Sequence, residues 1–341
     1  MNPDQPRHAR RIPLVLALLL AVLAGLTMSA QGRVNGALGA RLGDGLAAAV
    51  VSFGTGLVLV AALTVLPSGV RRALKRVLPA VRGRKFPAWY LFAGVSGAFL
   101  VMSQGVAVGV VGIALFTVAV VAGQSVSGLL VDRMGLGPGG RKYVTLLRVL
   151  SAVLTLVAVA WAVSPKFAAA GSAQAWLPVA LPLAAGFLQS FQQALNGTQT
   201  KHYGSPLPAT LINFIVGFVL LCLAWLVKLA TAGPAGALPA QWWYYLGGPL
   251  GCFFIVVAAV VVGSLGVLLT GLGMIAGQLL GALLLDALFP APGSVITAAT
   301  VLGTLLALAA MVLATLPWRP TALPARLRKA PGRARSARSS R

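Results

Sequence analysis

The 341-residue chain contains no glutamate, and its only carboxylate side chains are Asp4, Asp44, Asp132 and Asp286. It has two His, His8 and His202, and two Cys, Cys222 and Cys252. Acid–base, redox and metal chemistry draw on these residue types, so few groups remain to perform them. The two His have no metal-ligand spacing, and neither a metal nor a cofactor is expected. Both Cys lie in apolar runs and read as small packing residues rather than a disulfide. No glycine-rich phosphate loop ending in Lys is present, so primary pumping would need a partner chain. These absences nominate no catalytic residue and argue against an enzyme. Charged residues are also scarce, at 9%, against about 25% in a soluble domain.

What is present is apolar surface: 58% of residues are hydrophobic and the mean hydropathy is +0.91. The net charge of +23 invites a nucleic-acid reading, but the Lys and Arg sit in tails and short connections. That placement fits topology control and attraction to anionic lipid, and excludes a nucleic-acid face. The N-terminus has the layout of a signal peptide: Arg7, Arg10 and Arg11, an apolar run from Ile12, then Met28-Ser29-Ala30. The run is nevertheless long enough to span, at about 19 residues. It also has a counterpart in mid-chain, so a retained helix is expected.

Ten spans are expected, at 12–31, 45–66, 88–107, 110–131, 143–164, 176–196, 208–230, 242–261, 265–286 and 294–317. Segments of alternating polarity are absent, which makes these helices rather than barrel strands. The turn between the third and fourth spans has Gly105, Gly109 and Gly112 as candidates.

The chain repeats itself. Gly123-Gln124, followed eight residues later by Asp132, matches Gly277-Gln278 with Asp286, 154 positions on. Gln31 and Asn35-Gly36 match Gln192 and Asn196-Gly197 at an offset of 161. Ser52-Phe53 and Gly56 match Asn213-Phe214 and Gly217; Trp89-Tyr90, Gly94 and Gly97 match Trp243-Tyr244, Gly248 and Gly251. Each half therefore holds five helices. An odd count makes the second half enter from the opposite side, so the halves must be inverted repeats. The expected fold is an all-α integral membrane protein of ten transmembrane helices in two inverted five-helix repeats. Residues 1–11 form a basic cytoplasmic tail, 12–165 the first repeat, 166–175 a linker, 176–317 the second repeat and 318–341 a basic disordered tail. Placing both termini in the cytoplasm puts 22 of the 27 Lys and Arg inside, leaving Arg33, Arg41, Lys166 and Lys228 outside and Arg148 within a span.

Polar side chains are costly in hydrocarbon, so intramembrane clusters invite a functional reading. Gln189, Gln192, Gln193 and Asn196 share one face of the sixth helix; the first helix offers Met28, Gln31 and Asn35 at matching positions. Amides donate and accept, and suit a neutral or zwitterionic ligand. Their other possible role is interhelical hydrogen bonding. Gln124 and Gln278 each follow a Gly within an apolar helix and either line a central cavity or tie helices together; inversion would set them facing each other. Gln31, Gln124, Gln189, Gln192, Gln193 and Gln278 are thus the candidate substrate contacts. Asn35, Asn196, Asn213, Asp132 and Asp286 are candidates for structural or coupling roles. Asn35 and Asn196, beside Gly, read as helix-end caps. Asp132 lies close in sequence to Arg133 and Arg141 as ion-pair partners, whereas any partner of Asp286 is remote. Trp89, Trp242, Trp243, Tyr244 and Tyr245 read as interfacial aromatics.

Five-helix repeats with Asn-Gly after the first helix, Ser/Asn-Phe in the second and Gly-Gln with a downstream Asp in the fourth resemble the YdcZ-type branch of the drug/metabolite transporter superfamily. The resemblance covers about residues 12–317 and is that of a fused pair of units. The first half fits better, through Asp132-Arg133-Met134-Gly135; the second departs at Asp286-Ala-Leu-Phe. The resemblance implies export of small metabolites or drug-like molecules across the bacterial inner membrane by alternating access. It brings no agreed substrate or site residues. A small-solute channel and a membrane-embedded enzyme are the rival readings.

Overall fold

The structure is a computed structural model that describes residues 13–65, 68–141, 143–169, 176–290 and 296–316. The expectations for the tails 1–11 and 318–341, and for most of the linker, lie outside the described residues. Among the described residues the secondary structure is helical. The helices are α1 Leu14–Leu42, α2 Gly45–Val65, α3 Ser68–Lys75, α4 Val77–Arg82, α5 Gly94–Val111, α6 Ile113–Met134, α7 Leu146–Ala169, α8 Trp176–Tyr203, α9 Pro206–Ala232, α10 Gly247–Leu288 and α11 Ala298–Thr315. Short 3₁₀ turns at Ala88–Ala93 and Trp242–Tyr245 lead into α5 and α10.

Helix ends follow local chemistry. Asp44 caps α2 by accepting from the backbone N–H of Leu46 (2.9 Å) and Ala47 (3.1 Å). Ser205 caps α9, with Pro206 in its first turn, and Thr297 caps α11. Gly43 at φ 60° closes α1, and Gly112 at φ 84° makes the turn between α5 and α6.

Several boundaries differ from the sequence reading. α1 runs to Leu42 and α8 to Tyr203, so Asn35 and Asn196 lie inside helices and do not cap helix ends. The helices continue because the segments after Gln31 and Gln192 contain no proline, and Asn35 finds a side-chain partner in α5. α7 continues through Pro165 to Ala169, beyond the expected repeat boundary. The basic segment 71–85 carries most of α3 and all of α4, whose Ala73 and Ala80 are buried.

The expected eighth and ninth spans form one helical stretch, α10, that doubles back. Gly247 lies against Asn35 and Ser52, Gly251 lies against Gln31, and Val261 and Leu265 cluster with Ala17 and Ala21. Beyond that point the direction reverses: Gly273 meets Ala21, Gly277 meets Val22 and Gly281 meets Leu26. A straight helix would put residues 247 and 281 about 51 Å apart. Their partners Asn35 and Leu26 are only about 14 Å apart along α1. The chain therefore reverses between residues 265 and 273, and both arms of α10 flank α1.

Among the described residues, eight helices are long and apolar enough to cross a membrane, and the arm Gly247–Ala258 is apolar but shorter. The polarity is that of a bilayer protein. Large apolar side chains such as Val58, Trp161, Val227 and Val312 are exposed, while Asn35, Ser103, Gln104 and Gln199 are buried. Helices in lipid gain little from apolar burial and associate through close backbone contact at small residues. Gly25 and Gly277 supply this between α1 and α10, and Gly186 and Gly123 supply it between α8 and α6. A Cβ at Gly25 would lie 2.0 Å from the Met274 carbonyl oxygen, and one at Gly186 would lie 2.0 Å from that of Val120.

Candidate functional site

Helix contacts recur at matched positions in the two halves. Ser29 Oγ donates to the Gln278 carbonyl (2.6 Å), and its match Ser190 donates to the Gln124 carbonyl (3.0 Å). Gly94 lies against the Asn213 backbone, and its match Gly248 lies against that of Ser52. Gly97 abuts the Gln192 side chain, and its match Gly251 abuts that of Gln31. Phe53 and Phe214, themselves matched, meet with ring centroids 5.1 Å apart.

Where these contacts converge lies a cavity of about 140 Å³. Most of its lining falls into matched pairs: Met28 with Gln189, Gln31 with Gln192, Ser52 with Asn213, Phe53 with Phe214, Leu100 with Phe254 and Val101 with Ile255. Gln193, Asn196 and Thr210 also line it, whereas their matches Gly32, Asn35 and Ala49 do not. Gly248 is the one unmatched lining residue at the opposite end. The cavity is therefore extended toward the end of α8 that carries Asn196, and Gln193 there is exposed. No Asp, Glu, Lys, Arg or His is among the described lining residues. The amide oxygens of Gln31, Asn196 and Asn213 are buried without a hydrogen-bond partner.

Of the six glutamines singled out in the sequence, Gln31, Gln189, Gln192 and Gln193 reach the cavity. Gln124 stands one step behind it: its Nε2 donates to Gln189 Oε1. Gln278 sits in the α1–α10 contact through its backbone and does not line the cavity. Gln124 thus belongs to the α6–α8 contact and Gln278 to the α1–α10 contact.

Gln104 was not legible as a site residue. It is buried in α5 and accepts from Asn35 Nδ2 at 2.8 Å. Its match is Ala258, so the repeat conceals it, and Asn196 has no equivalent bond. Gln199 was missed similarly; its Nε2 donates to the Tyr90 carbonyl at 2.7 Å.

The acidic residues lie apart from the cavity. Asp286 is buried near the end of α10 and accepts from the backbone N–H of Ile113 (3.1 Å) and Ala114 (2.8 Å), the first residues of α6. It is a helix cap supplied from another helix, which satisfies two orphan donors and complements the positive end of the α6 dipole. Asp132 pairs with Arg148 of the next helix at 2.6 Å. Asp44, unassigned from sequence, pairs with Lys228 at 2.5 Å. Burial pushes its carboxyl upward, but Lys228 and the N–H groups of Ala47 and Leu46 outweigh this and hold it below the usual carboxylate value.

Apolar helices of membrane-spanning length, packed around a small cavity that carries amides and no charged side chain among its described lining, define the class: a helical membrane protein. The chain belongs to the family described as "Putative inner membrane exporter, YdcZ", whose model matches it twice, over residues 16–161 and 177–313. A solved structure described only as "Crystal structure of protein" shares the fold, with a TM-score of 0.55 at 18% identity over 88% of this chain and 95% of that chain. At that identity the likeness concerns fold alone. No curated protein matches the chain.

Proposed function

We propose that this protein is a secondary transporter that exports small molecules by alternating access at the interface of two inverted five-helix repeats. The ten spans are α1, α2, α5, α6, α7, α8, α9, the two arms of α10, and α11, with both termini cytoplasmic. The observation that carries the reading is the cavity itself, built largely from matched residues of both halves. The double family match and the matched contacts Ser29–Gln278 and Ser190–Gln124 support two related units.

The asymmetry of the cavity supports one arm of the cycle. With cytoplasmic termini, the Asn196 end faces inward, and the Asn35–Gln104 bond closes the outer end. The structure then corresponds to a state biased inward. Exchange of conformation between the halves would release Asn35 and extend the cavity toward Ala49 and Gly32. A cavity closed at one end favours a carrier over a channel, which needs a continuous path. The family description and the scarcity of acid, base and metal groups favour transport over catalysis.

The test is counterflow in proteoliposomes. Preloading with excess unlabelled solute should drive transient uptake of labelled solute, and initial rates should saturate. Unsaturable flux without counterflow would establish a channel. Gln278→Leu keeps the backbone carbonyl and should leave transport largely intact, Gln124→Leu frees Gln189 and should weaken it, and Leu at Gln189 or Gln192 should abolish it at normal expression.

A further inference from the structure

The cavity's chemistry specifies more than its position, and this inference rests on the transporter reading just given. We infer that the cavity takes an uncharged polar solute of about six to eight non-hydrogen atoms, such as a small polyol or amide. Size comes first: a dry protein cavity of about 150 Å³ accommodates benzene, and this one is about 140 Å³. A drug-sized molecule needs a pocket of roughly 300 Å³ or more.

Charge is excluded by what surrounds the space. A buried ion costs several kcal/mol unless it is paired, and the described lining offers no ionic partner. The described carboxylates are engaged elsewhere: Asp286 at the start of α6, Asp132 with Arg148 and Asp44 with Lys228. Zwitterions fail for the same reason, at both ends.

Hydrogen-bond polarity sets the remaining requirement. Gln31 Oε1, Asn196 Oδ1 and Asn213 Oδ1 are buried acceptors without donors. The side-chain amides of Gln31, Gln192, Gln193 and Asn213 line the space, and amides both donate and accept, so a bound solute with hydroxyl or amide groups is selected over an apolar one. Phe53, Phe214 and Phe254 supply an apolar wall for the carbon skeleton.

The experiment uses four near-isosteric probes that differ in charge: glycerol, serinol, glycerate and serine, with erythritol as a larger neutral member. Binding to the purified protein is read by saturation-transfer NMR, and counterflow is read separately in proteoliposomes. Glycerol and erythritol should bind at least tenfold more tightly than the three charged probes. Asn196→Asp, which places a carboxylate in the cavity, should move the preference to serinol; Asn213→Leu should weaken erythritol binding at least tenfold. Size-exclusion profiles establish that each variant is folded, and the wild-type charge series decides the matter if a variant is not. Preference for a charged probe, or binding of none of the five, overturns the inference. Neutral binding without counterflow sustains the inference and overturns the transporter reading; counterflow of a charged probe does the reverse.

Discussion

Asp286 offers the sharpest test of the architecture, because a carboxylate buried between membrane helices has two physical explanations. It either couples protons or holds backbone. The geometry gives it a holding role: its two oxygens accept from Ile113 and Ala114, at the start of α6. Asp286→Ala would leave two buried N–H groups unpaired and remove a negative charge from the positive end of α6. Loss of a cap costs about 1 kcal/mol, and the dipole contributes up to about 2 kcal/mol in partly buried geometries. The sum with residual desolvation is about 2–4 kcal/mol. At roughly 2–3 °C per kcal/mol for a larger domain, the melting temperature in detergent should fall by about 4–12 °C. Asp286→Asn keeps one acceptor oxygen and should lose about half as much. A melting temperature for Asp286→Ala within about 1 °C of the parent would refute the capping role. If that variant were also transport-dead, with a flattened pH profile, the carboxylate would instead belong to proton coupling.

Four further outcomes are expected. Gln104→Ala breaks the bond to Asn35, worth about 1 kcal/mol, and should raise labelling of an Ala49→Cys reporter by an impermeant thiol reagent about fivefold in a background without Cys222 and Cys252. Gly25→Ala and Gly186→Ala should each destabilise by about 1–3 kcal/mol, and by similar amounts, because both press a methyl group against a backbone carbonyl at matched positions. Dissimilar melting shifts for the two would count against equivalent helix pairs. The Asp44 carboxyl is held below its ordinary value of 3.8, so its stabilisation is fully present above that pH and is lost as the pH falls through the lower folded value. Thermal melting should thus be insensitive to Asp44 from pH 5 to 8, and Asp44→Asn should remove part of the acid-side loss. Exchange of Asp132 and Arg148 for one another should leave melting within about 1 kcal/mol, since the pair is partly exposed.

The sequence by itself determined the class, a helical membrane protein, and its duplication into two related units. These follow from composition and from residue identities repeated at fixed offsets, which survive without any three-dimensional knowledge. It also nominated the α8 stripe, because amides at three- and four-residue spacing on an apolar helix have few other readings. It could not say which polar residues meet. Gln124 and Gln278 look equivalent along the chain, yet Gln124 is bonded to a cavity residue through its side chain while Gln278 serves through its backbone carbonyl. Asn35 and Asn196 look like helix ends, but α1 runs on to the left-handed Gly43 and α8 to the left-handed Gly204, where the last turn closes on itself. Gln104 and Asp44 were silent because a lone polar residue carries no pattern until packing brings its partner to it. Only the tertiary structure decided the end toward which the cavity extends. That depends on one bond, Asn35 to Gln104, for which the matched pair Asn196 and Ala258 has no chemical equivalent.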